Sequence, residues 1–98
     1  MAEAAVQRVR LMPDYSAAWP LWTDGMISGA ALGLSPDLQR ALRDWATSFD
    51  AHYHHEHGWD APDHRTAFAN RGHELLWWLR AELPDVEVEY DDWSTAGS

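Results

Sequence analysis

The chain contains no cysteine and no lysine. Without thiols it can form no disulfide, no iron–sulfur cluster, no thiolate nucleophile and no cysteine-ligated zinc site. Without lysine it has neither a Schiff-base amine nor the phosphate-binding lysine of a Walker A loop, and all seven basic residues are arginine, at positions 8, 10, 40, 43, 65, 71 and 80. No apolar run approaches the roughly 18 residues of a membrane span. The opening MAEAAVQRVR lacks the basic-then-apolar layout of a secretory signal, so cytoplasmic residence is the expectation.

Positive charge is also scarce. Sixteen carboxylates face seven arginines, for a formal net charge of −9 with neutral histidines. Six of those acids (Glu82, Asp85, Glu87, Glu89, Asp91 and Asp92) crowd into eleven residues near the C-terminus. Such a field repels phosphate backbones, which argues against a nucleic-acid partner and in favour of a basic protein partner or plain solubility. A length of 98 residues, 46% of them apolar, bounds the chain to one small domain over residues 1–98 with a single core.

What is present divides into two strand patterns around two helical ones. QRVRLM alternates at period two, with Val9 and Leu11 on one face and Arg8 and Arg10 on the other, and Pro13 ends it. DVEVEY repeats the pattern with Val86, Val88 and Tyr90 opposite Glu87 and Glu89. Two arginines on one polar face and two glutamates on the other suit neighbouring strands, so the two are expected to pair. Between them, Leu38, Leu42, Trp45, Phe49 and Tyr53 draw a helical stripe that starts at Ser35-Pro36-Asp37 and is expected to run to Gly58. A second helix is expected from about Ala61–Asp63, capped by Asp60 or Asp63, to Pro84, with a stripe of Phe68, Gly72, Leu75, Leu79 and Leu83. The expectation is an α+β domain, a small antiparallel sheet with two helices packed on one face, in the order β-α-α-β. Asp24-Gly25 signals either an extra hairpin or an irregular loop within residues 14–35. Residues 1–5 and 92–98 read as flexible ends.

The densest chemistry is HYHHEHGWD at residues 52–60, with four of the six histidines. As a bare string it matches the H-x-H-x-[D/E]-H ligand motif of the metallo-β-lactamase fold, but that fold is far longer and sets its motif after a strand. If the helix continues through this stretch, Asp50, His54 and His57 share a face at spacing i, i+4, i+7. His52 and Glu56 make a second pair, and Asp60 or His64 can complete a set from the turn. Such a set suits a divalent ion of the zinc type. The competing reading is a solvated helix end whose histidines complement the dipole. His73-Glu74 lacks the second histidine of H-E-x-x-H, since Trp77 stands in its place, and no serine has a G-x-S-x-G setting.

Seven tryptophans are the less expected feature. Trp77 points roughly 160° away from the Leu79 stripe at 100° per residue. With Arg80 and His73 beside it, Trp77 is either an anchor for a protein partner or is covered by Trp19 or Trp22 of the 14–35 segment. MPDY, PLW and LSPDLQRALRDWA, followed by a helix and an acidic strand, resemble small uncharacterised acidic proteins of high-GC actinobacteria; arginine, alanine, aspartate and tryptophan in place of lysine fit that coding bias. The resemblance spans most of the chain and implies a fold but no activity. The sequence therefore points to a noncatalytic protein-binding domain, immunity- or regulator-like with a basic partner. The alternative is a metal-binding protein built on residues 50–64.

Overall fold

The structure, a computed structural model, describes residues 6–95. The expected flexibility of residues 1–5 and 96–98 lies outside the described residues. Five short strands and two helices follow in the order β1 (Arg8–Leu11), β2 (Leu21–Trp22), α1 (Pro36–His52), β3 (Tyr53–His54), β4 (Gly58–Trp59), α2 (Pro62–Glu82) and β5 (Glu87–Tyr90).

The two alternating segments pair as their charges suggest. β1 is the central strand of the order β2-β1-β5, with Arg8 opposite Glu87, Val9 opposite Val88 and Arg10 opposite Glu89. Val9 and Val88 turn inward, while Arg8 lies 3.4 Å from Glu87 and 3.8 Å from Glu89 on the wet face. At that exposure each pair contributes only about 0–1 kcal/mol; the inward valines do more to hold the register. The α+β class with two helices on a small sheet follows the sequence pattern. Antiparallel pairing holds for β1–β2 and β3–β4, whereas β1 and β5 run parallel, so the larger sheet is mixed. Alternating Arg and Glu faces complement each other in either direction, and a parallel neighbour needs a long crossover. Here the helices and their loops, between β2 and β5, provide it.

Of the two readings open at Asp24-Gly25, hairpin or irregular loop, the structure takes a middle course: one bridge between Trp22 and Met26, closed by the amide of Ile27 donating to the Leu21 carbonyl at 2.8 Å. Leu21 itself pairs with Leu11 of β1 and is fully buried, so the segment extends the main sheet.

α1 starts where its sequence says it should. Ser35 adopts an extended conformation, its hydroxyl accepts from the Leu38 amide at 3.2 Å, and Pro36 occupies the first turn. Leu38, Leu42, Trp45 and Phe49 face the core. The helix ends at His52, six residues before Gly58, because Tyr53 turns extended (φ −115°, ψ 127°) and stacks on Phe49 with ring centroids 4.8 Å apart. Tyr53 then pairs with Trp59 across a small hairpin. Gly58, expected as a helix stop, instead closes that hairpin with φ +75°, a conformation glycine adopts without steric cost.

α2 has Ala61 as its N-cap with no side-chain hydrogen bond, so neither Asp60 nor Asp63 caps it. The Asp60 carboxylate is engaged by His52 and His64. Phe68, Gly72, Leu75 and Leu79 form the inner face, as the stripe predicts. Glu82 at the end of α2 accepts from the Ser35 amide at 2.7 Å, the Ser35 hydroxyl at 2.6 Å and the Trp78 indole at 2.9 Å. This places the start of α1 beside the end of α2, an antiparallel pair.

Burial works against the Glu82 charge, but the Ser35 hydroxyl and amide and the Trp78 indole outweigh it and hold the carboxyl below its usual range. A carboxyl with a depressed native pKa stabilises the fold above its unfolded value of about 4.3, and that contribution is lost as the pH falls through the native value. Glu82→Gln should therefore cost about 1 kcal/mol near neutral pH. The gap to wild type, read from urea midpoints, should narrow once the pH drops below about 4. A gap that stays constant into acid would mean that the charge contributes nothing.

Residues 92–95, read from sequence as the start of a loose tail, are tied to the body by three hydrogen bonds. The Trp93 indole donates to the Pro13 carbonyl at 2.9 Å, the Trp59 indole donates to the Ser94 carbonyl at 2.7 Å, and Arg65 donates to the Thr95 carbonyl.

Candidate functional site

Most tryptophans turn out to be structural. Five of the seven indoles donate to a partner within the chain: Trp22 to Met12, Trp45 to Phe68, Trp59 to Ser94, Trp78 to Glu82 and Trp93 to Pro13. Trp45 is the centre of the helix–helix core, stacked on Phe68 at 4.2 Å with the rings 8° from parallel. Trp19 lies against Gly29 with Arg43 5.6 Å from its ring.

Trp77 is different. It is 66% exposed, the most open of the large apolar side chains among the described residues, and neither Trp19 nor Trp22 covers it. The reading in which the 14–35 segment folds over this face is thereby overturned: β2 carries that segment to the β1 side of the sheet, whereas α2 packs against β5. The Arg80 guanidinium sits 5.1 Å from the Trp77 ring and donates to the Val88 carbonyl at 3.0 and 3.3 Å. β5 is an edge strand, so Arg80 occupies an edge carbonyl and at the same time flattens against the tryptophan. His73 meets Tyr90 of the same strand edge to face at 5.1 Å. Trp77, Arg80 and His73 thus form one continuous ridge along α2 beside the open side of β5. Glu87 and Glu89 of the same strand lie on the wet face of the sheet, where they pair with Arg8.

The histidines assemble in another way than helical spacing predicts. With α1 ending at His52, Asp50, His54 and His57 do not share a helix face. Asp50 accepts from the Ser16 amide at 2.9 Å, while His54 stacks between His55 at 4.6 Å and His57 at 4.9 Å at the hairpin tip. His54 Nδ1 already accepts from the Glu56 amide at 3.1 Å. A different set comes together at the base of the hairpin. His52 Nδ1 lies 2.9 Å from one Asp60 oxygen and His64 Nδ1 lies 2.7 Å from the other. Sequence reasoning had both Asp60 and His64 as auxiliary residues; the signal it missed was the Tyr53/Trp59 aromatic pair that marks the hairpin. His52 and His64 also border a groove of about 350 Å³ between α1 and α2, floored by Trp45, Phe68 and Trp59 and edged by Asp44, Ser48 and Arg71.

These features describe a small α+β domain with an aromatic and charged ridge on its second helix and an imidazole–carboxylate joint at one end. From residue 7 to residue 93, a span that takes in β1 through β5 and both helices of the described residues, the chain matches the family model described as Serratia CdiI immunity protein-like, and it belongs to that family. No curated protein matches it. Family membership makes this an immunity-like protein, one that acts by binding another protein. Among the described residues no helix is long and apolar enough to cross a membrane.

Proposed function

We propose that the chain neutralises a basic toxin domain by binding it, with the Trp77 ridge as anchor and the acidic surface around it as the attracting field. The family match over residues 7–93 carries the reading. Its finer parts rest on the 66% exposure of Trp77 and on the net charge of −9. A largely exposed Trp backed by Arg has the composition of an interface hot spot, and like charge would keep the domain away from nucleic acid. Catalysis has no part in this role: occupation of the toxin's surface is enough.

The test is to produce the chain together with a basic toxin domain encoded beside its gene, where one is found, or beside the gene of another family member. Growth should be protected, the two purified proteins should form a stable complex, and association should slow as salt is raised, because screening removes long-range steering. Absence of both complex and protection would refute the immunity reading. A complex whose association rate ignores salt would refute the basic-partner part alone.

A further inference from the structure

We propose that His52, Asp60 and His64 form a binding site for a zinc-type divalent cation, which would clasp the end of α1, the β3–β4 hairpin and the first turn of α2. This goes beyond the partner-binding role and does not depend on it.

The site is a product of the hairpin register. Tyr53 pairs with Trp59 and His54 with Gly58, so the next pair outward is His52 with Asp60, joined by the Asp60 amide donating to the His52 carbonyl at 2.9 Å. Asp60 then stands four residues before His64, one turn across the start of α2, which brings the second imidazole to the same carboxylate. Three segments therefore deliver three ligands, with ligand atoms all within 4.8 Å of one another and the two imidazole rings 4.0 Å apart. Zinc binds nitrogen and carboxylate oxygen at about 2.0–2.2 Å, so ligand atoms on one ion stand up to roughly 4 Å apart. Small side-chain rotations bring all three into range.

The chemistry of the set is selective. Two imidazoles and a carboxylate suit first-row divalent ions such as zinc and are a poor match for magnesium or calcium, which take oxygen ligands. The Asp60 carboxylate already faces both imidazoles, one oxygen toward each Nδ1 at 2.9 and 2.7 Å, so the three donor groups converge without rearrangement of the backbone. The three side chains are 37%, 50% and 46% exposed, which admits the ion and leaves a position for water. The hairpin tip lacks this construction. Its histidines stack on one another, Glu56 lies 3.5 Å from His55, and Asp50 is taken up by the Ser16 amide.

Zinc and cobalt chlorides, added singly at micromolar concentration to the whole chain near neutral pH, test the proposal through thermal unfolding and the visible spectrum of bound cobalt. Zinc should raise the melting temperature of wild type, and cobalt should give a ligand-field band. Both effects should vanish in His64→Ala and persist in a His54→Ala/His57→Ala double variant. Should His64→Ala fail to fold, His64→Gln serves in its place, since an amide can still donate to Asp60 but ligates zinc poorly. No melting shift in wild type overturns the proposal. So does a shift that survives loss of His64, or one that is lost with His54 and His57, because the ion would then sit at the hairpin tip. Partner binding is measured separately and its outcome leaves this result unaffected.

Discussion

Gly72→Ala should lower stability by about 1–2 kcal/mol, although alanine is the better helix former by roughly 1 kcal/mol. A Cβ built on Gly72 would lie 2.5 Å from the Tyr90 hydroxyl, 2.7 Å from its ring carbon and 2.9 Å from Cζ2 of Trp45. Neither neighbour can yield cheaply. Trp45 is 2% exposed, stacked on Phe68 and hydrogen-bonded to the Phe68 carbonyl at 3.0 Å, and Tyr90 is fixed in β5 against Leu11 of the central strand. For a domain of this size the loss corresponds to a fall in melting temperature of roughly 4–8 °C per kcal/mol. Tyr90 supplies the control. Burial pushes its phenol up to about 12, with Thr95 opposing the rise and the charges of Asp92 and Asp91 adding to it. Thr95 is nevertheless outside hydrogen-bonding geometry, and the buried hydroxyl has no partner among the described residues. Tyr90→Phe removes both that unpaired group and the closest clash. The alanine penalty should therefore shrink in the Tyr90→Phe background, and thermal or urea unfolding of the four proteins reads the coupling. If Gly72→Ala proves as stable as wild type, helix propensity outweighs the crowding and the close packing of α2 on Tyr90 has been overvalued.

The parts of the fold that were legible in the sequence are those where one periodicity had a single interpretation. Val9 and Leu11, or Val88 and Tyr90, could be inward only in strands, and Leu38 to Phe49 could share a face only in a helix. The hairpin at residues 53–59 was hidden because Tyr53 also fits the helical stripe, four residues after Phe49. Its ring does land on Phe49, but from an extended backbone. Once that hairpin forms, every angular argument for His54 and His57 fails, and the grouping passes to His52, Asp60 and His64. The missing cap of α2 has the same origin, since Asp60 turns toward the two imidazoles. Strand direction was not legible either, because alternating charges complement each other in parallel and antiparallel registers alike. The Trp77 face, by contrast, was legible by angle but not by cover, which depends on where the 14–35 segment travels.

Trp77→Ala should leave the fold within about 0.5 kcal/mol of wild type, because the side chain is 66% exposed and fills no core position. In the complex the same change should cost about 2 kcal/mol or more, roughly a 30-fold rise in Kd, if the indole is the anchor of the interface. The contrast between the two measurements carries the information. Arg80→Ala would confuse it, since Arg80 also donates twice to the Val88 carbonyl and its loss should weaken the contact between α2 and β5. His73→Ala is similarly mixed through its contact with Tyr90. Trp77 is the member of the ridge whose removal separates binding from folding, so calorimetric titration of the partner with wild type and Trp77→Ala, beside their unfolding curves, is decisive. Equal affinity of the two would move the interface away from α2, with the α1–α2 groove at Trp45, Phe68 and Trp59 as the next surface to probe. A variant that loses stability in step with affinity would instead show that the exposed indole supports the helix, and the hot-spot assignment would fall.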